Sequence, residues 1–104
     1  MIYGLKPDTI DAINAVFRKH TAVEEVILYG SRAKGNFKQG SDIDLTLKGP
    51  SVTLDDQLKI ETELDDLLLP YKIDLSVHSN ISSADLLAHI KRVGKIFYTK
   101  THGA

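Results

Sequence analysis

Residues Asp42 to Lys48 alternate without a break, with Asp42, Asp44 and Thr46 on one side and Ile43, Leu45 and Leu47 on the other. A period of two belongs to an extended strand, so this segment has one face in a core and one polar face that begins with two carboxylates. Tyr71 to His78 repeats the pattern, with Ile73, Leu75 and Val77 against Asp74 and Ser76. Glu25-Val26-Ile27-Leu28-Tyr29 is a short apolar run stopped by Gly30, which suits a buried strand.

The segments around these strands carry helical spacing. Pro7 and Asp8 open a helix to about His20, with Ile10, Ile13, Val16 and Phe17 on one face. Thr53 caps a second helix through about Leu69, whose apolar residues are Leu54, Leu58, Leu64, Leu67 and Leu68. Its other side is acidic, with Asp55, Asp56, Glu61, Glu63, Asp65 and Asp66. Ser82 or Ser83 caps a last helix to about Arg92, followed by an extended Lys95 to Tyr98. Gly30 to Ser41 holds three glycines and the cations Arg32, Lys34 and Lys38, a turn-rich connection with room for one helical turn. This order predicts an α/β or α+β fold, a short mixed sheet flanked by helices.

At 104 residues the chain is expected to form one domain, spanning 1–104, with no separate substrate lobe. A net charge of −1 gives no bulk positive field for a long nucleic acid. The absence of Cys excludes disulfide scaffolds, Cys-ligated zinc and a thiol nucleophile. Apolar stretches fall far short of the roughly 20 residues that span a bilayer, and Met1 to Lys6 has no apolar signal core. A cytoplasmic protein without a membrane role is the expectation.

The chemistry concentrates in Gly30-Ser31 and the three aspartates. A strand that ends in Gly-Ser brings backbone close to a ligand, and the free N–H groups of a following helical turn suit phosphate. The order of a Walker A loop is absent. Taken alone, Gly-Ser after a strand is also an ordinary turn. Asp42 and Asp44, two apart on a strand, project from one face and can share a hard cation. Pairing of their strand with that of Asp74 would add a third carboxylate, which makes a two-metal site for nucleotidyl transfer. Arg32 and Lys34 add charge for a triphosphate or are solvated loop side chains, whereas Lys38 is read as solvated. Ser41 orients the loop before Asp42 or is a plain turn residue. His20, His78, His89 and His102 show no ligand spacing and are read as surface or boundary residues, and Tyr29 as core.

Gly30-Ser31, ten residues, Asp42-x-Asp44 and a later Asp74 together resemble the nucleotidyltransferase superfamily that shares its palm with DNA polymerase β. Within it the chain is similar to the minimal nucleotidyltransferases, the antitoxin-like partners of HEPN-domain proteins. The resemblance implies that Gly30 and Ser31 contact the nucleotide's phosphates, with Arg32, Lys34 and Ser41 as further nucleotide-binding candidates on the readings above. It implies that Asp42, Asp44 and Asp74 are catalytic and hold Mg²⁺, two ions in all. It further implies transfer of AMP from ATP, or of another nucleotide from its NTP, to a tyrosine hydroxyl of a small helical HEPN partner, the toxin of a toxin–antitoxin pair. An antitoxin that binds nucleotide and neutralises its partner by contact alone is the competing reading, and a structural cation site in a scaffold is a third. The intact Gly30, Ser31, Asp42, Asp44 and Asp74 favour the enzyme. Leu67 to Leu69 and Ile96-Phe97-Tyr98 offer a homodimer or partner surface, although core packing explains them equally well.

Overall fold

The computed structural model describes residues 1–100. Helix α1 (Pro7–Arg18) begins with proline at its first position, where no N–H is needed, and carries Asp8 in its first turn and Arg18 in its last. Strand β1 (Glu25–Tyr29) runs directly into the five-residue α2 (Gly30–Lys34), so the expected helical turn starts at the glycine itself. Then come β2 (Ile43–Lys48), α3 (Leu54–Asp65), β3 (Ile73–Val77), a single 3₁₀ turn at His78–Asn80, α4 (Ala84–Val93) and β4 (Lys95–Thr99).

The strands form one sheet in the order β3-β2-β1-β4. β1 is antiparallel to both β2 and β4, while β2 and β3 are parallel, joined through α3. This is the mixed sheet flanked by helices that the sequence order predicts. Alternation sorts the two faces. On one face Val26, Leu28, Ile43, Leu45, Leu47, Leu75 and Val77 pack against Ile13, Val16 and Phe17 of α1 and Ile60 and Leu64 of α3. On the other, Ile27 and Tyr29 of β1 meet Ile90 of α4, with Leu86 and Val93 beside it. The second apolar cluster takes its strand residues from β1, and the same face of β2 and β3 carries Asp44, Thr46, Asp74 and Ser76.

Helix α3 departs from the expected pattern in two ways. It ends at Asp65, four residues short of Leu69, because Leu68 takes a left-handed φ of 54° and Pro70 disfavours helical backbone in the residue before it. Its buried side chains are Ile60 and Leu64, whereas Leu54 and Leu58 are 58% and 55% exposed. Ile60, Leu64 and the half-buried Leu67 stand at four- and three-residue spacing and form the inward stripe; Leu54 and Leu58 lie on a different one. The surfaces expected at the leucine cluster and the C-terminal strand are divided likewise. Leu68 is 88% exposed, but Phe97 and Tyr98 are core and Ile96 alone of its trio faces outward. Among the described residues, no helix is long and apolar enough to cross a membrane.

Candidate active site

The strand register brings the carboxylates together. Tyr29 of β1 lies opposite Asp44 of β2, and Asp44 lies opposite Asp74 of β3. Residues opposite each other in adjacent strands point to the same face, so these three side chains form a row across the sheet on the α4 side. The next row is Ile27, Thr46 and Ser76, in which the Ser76 hydroxyl donates to Thr46 Oγ1 at 2.9 Å. Asp42 stands just before β2, exposed, two residues from Asp44.

Gly30 closes the row from the β1 side. Its φ is +74°, and a Cβ placed there would overlap Asp44 Oδ2, so the turn lies against the carboxylate and only glycine satisfies both demands. Tyr29 is the residue before α2 and its side chain caps nothing; Gly35, with φ 88°, ends the turn by donating its N–H to Ser31 O at 2.9 Å. The Gly30 N–H, one of those a helix leaves without an internal partner, donates to His89 Nε2 of α4 at 3.1 Å. The Ser31 side of the turn is half-buried.

Charge is crowded here. Burial pushes the Asp44 carboxyl above its ordinary range, and Asp74 and then Asp42 push it further in the same direction. Burial also raises the Tyr29 phenol, with Asp74 and Asp44 adding to the shift against a hydrogen bond to Ser76. The phenol therefore stays protonated at neutral pH. Among the described residues no three His, Asp or Glu side chains are gathered closely enough to form a ready metal cage. The donor set nevertheless fits a hard divalent cation, because all three acids offer oxygen and a cation would relieve the repulsion that raises Asp44.

The basic residues of the loop are placed differently from the aspartates. Arg32 is 2% exposed, with its guanidinium between the rings of Phe37 and Tyr71, 5.2 and 5.0 Å from their centroids. It donates from Nη1 to Tyr3 O at 2.9 Å and from Nε and Nη2 to Ser41 O at 3.2 and 2.9 Å. The charge expected to meet a triphosphate instead braces the loop from within. Ser41 belongs to the same brace, since its Oγ accepts the Lys38 N–H at 2.8 Å. Lys34 is exposed at the end of α2 and Lys38 is exposed in the loop.

His89 is the site residue that spacing between histidines could not reveal. It sits with Leu86 and Val93 at three- and four-residue intervals on the inward side of α4, and that helical spacing was the available signal. The other histidines lie elsewhere. His20 pairs with Glu63 at 2.5 Å, and Lys19 reaches the other oxygen of that carboxylate. His78 opens the 3₁₀ turn, its pKa held down by burial and by Lys48. His102 lies outside the described residues.

Relatives share this architecture at low sequence identity. A chain of a toxin–antitoxin complex crystallised with AMP-PNP superposes with a TM-score of 0.70 at 19% identity, covering 88% of this chain and 73% of that one. A chain of the complex of tri-AMPylated Shewanella oneidensis HEPN toxin with MNT antitoxin gives 0.68 at 16% identity, covering 92% and 74%. A putative nucleotidyltransferase from Sulfolobus solfataricus gives 0.54 at 16% identity, covering 90% and 79%. No curated protein matches the chain significantly by sequence. The family described as "Polymerase beta, Nucleotidyltransferase" matches residues 11–102, a span that contains the glycine-serine turn and all three aspartates, and the chain belongs to that family.

Proposed function

We propose that this chain is a Mg²⁺-dependent nucleotidyltransferase that moves AMP from ATP to a hydroxyl of a HEPN-domain protein and serves as the antitoxin of that pair. The observation that carries the proposal is the row in which Gly30 abuts Asp44 and Asp44 faces Asp74. That arrangement puts a phosphate-sized turn beside carboxylates that repel one another. The toxin–antitoxin complexes with AMP-PNP and with an AMPylated HEPN toxin support the nucleotide and the partner.

Ser31 and the free amides of α2 would bind phosphate oxygens, their donors arranged before the substrate arrives. Asp42 and Asp44 would hold the Mg²⁺ that accompanies the triphosphate, and Asp74 would join them at a second ion. Bound there, Mg²⁺ neutralises the triphosphate and lowers the pKa of the acceptor hydroxyl. The acceptor oxygen forms a bond to the α-phosphorus as the bond to the bridging oxygen breaks, and pyrophosphate departs with that electron pair. Asp74, exposed at the end of the row, would take the hydroxyl proton. Label from the α-phosphate of ATP should pass to a HEPN-domain protein in the presence of Mg²⁺. Asp42→Asn and Asp44→Asn should each reduce that transfer at least about 100-fold; wild-type rates in both variants would defeat the assignment.

A further inference from the structure

His89 reaches the phosphate turn from a different helix, and its contact there is a specific one. The Gly30 N–H donates to Nε2 at 3.1 Å, so that nitrogen is the acceptor of the pair. The Tyr29 ring meets the imidazole edge-on, with centroids 6.1 Å apart and planes at 81°, which fixes the imidazole plane. Gly30 is thereby held from two directions: His89 takes its N–H, and Asp44 Oδ2 occupies the space on its Cα. A glycine at φ +74° has many other conformations open to it, and the five-residue α2 has no side-chain N-cap to restrict the choice.

We propose that His89 is a positioning residue for nucleotide binding. By accepting the Gly30 N–H it locks the turn in the conformation that sets Gly30 against Asp44 and leads into Ser31. The same bond removes the Gly30 amide from the phosphate site, so the phosphates are left to Ser31 and the amides that follow it. This role rests on the nucleotidyl-transfer reading, while the clamp itself does not.

Two substitutions separate the acceptor from the bulk of the ring. His89→Phe keeps a ring against Tyr29 but offers no acceptor, whereas His89→Gln offers Oε1. In the full chain with Mg²⁺ and a non-hydrolysable ATP analogue, His89→Phe should weaken binding roughly three- to tenfold, the loss of one hydrogen bond's worth of positioning. KM for ATP should rise by a similar factor with little change in kcat, and the Gly30 amide should exchange with solvent faster than in wild type. His89→Gln should restore both binding and protection. Wild-type nucleotide affinity in His89→Phe, or equal losses in His89→Gln and His89→Phe, would overturn the proposal. Should the wild-type chain bind no nucleotide, the nucleotidyl-transfer reading and the positioning role fall together. Gly30 exchange decides the clamp in either case: faster exchange in His89→Phe supports it, and unchanged exchange removes it.

Discussion

Asp44 is held where its charge is unfavourable. Its carboxyl is raised first by burial and then by Asp74 and Asp42, so the folded chain binds that proton more tightly than the unfolded chain does. The stabilising effect of the bound proton is complete below the ordinary carboxylate pKa and disappears as pH rises through the raised value. At neutral pH the ionised group opposes folding, and Asp44→Asn should melt higher than wild type while losing transfer. Thermal scans at neutral pH check the sign. Arg32 makes the opposite case, a charge that serves the fold. Arg32→Ala leaves the carbonyls of Tyr3 and Ser41 without donors and should lower the unfolding free energy by about 2–4 kcal/mol in denaturant titration. Arg32→Lys should recover little, since an ammonium cannot fork to both loops and stack between two rings. Lys34→Ala should change stability by less than about 0.5 kcal/mol. The three aspartates and Gly30 were legible because strand alternation and glycine's backbone freedom are local properties. Arg32 was not legible as a brace, because Tyr3 and Tyr71 reach it from segments far from it in sequence.

At the scale of elements, the boundaries that sequence fixes best are those with a cap. The Thr53 hydroxyl accepts the Asp56 N–H at 3.2 Å, and Asp56 Oδ2 accepts the Thr53 N–H at 2.9 Å, a reciprocal box at the start of α3. The bond from the Thr53 amide, followed by that from its hydroxyl, holds the Asp56 carboxyl below its ordinary range. The corresponding stability is present above the ordinary carboxylate pKa and is lost as pH falls through the lowered one. Thr53→Ala should destabilise the chain by about 1 kcal/mol, a drop in Tm of roughly 4–8 °C, without changing nucleotide affinity. Ser83 caps α4 in the simpler way, through the Leu86 N–H at 3.2 Å. The inward face of α3 was harder to read, because its leucines populate two stripes and only the sheet beneath decides that Ile60 and Leu64 go in. The end of α3 depended on Leu68 adopting a positive φ, which a leucine rarely does.

At the scale of the molecule, the decisive facts are pairings between strands far apart in sequence. Two strands with the same alternation can pair parallel or antiparallel, and in several registers, with equal local propriety. The structure selects the parallel pair that sets Asp44 against Asp74, and the antiparallel pair that sets Tyr29 and the glycine turn against Asp44. Apolar packing on that side comes from β1 and α4, and Asp74 is exposed at the end of the row. Under the proposed function, a protein acceptor would approach the carboxylates across the β3 edge of the sheet. The intact mass of a HEPN-domain protein, measured after incubation with this chain, ATP and Mg²⁺, tests that account most directly. A gain of one or more adenylyl groups with the wild-type chain, absent with Asp44→Asn, is the predicted result; a tight complex whose HEPN protein gains no mass would contradict it.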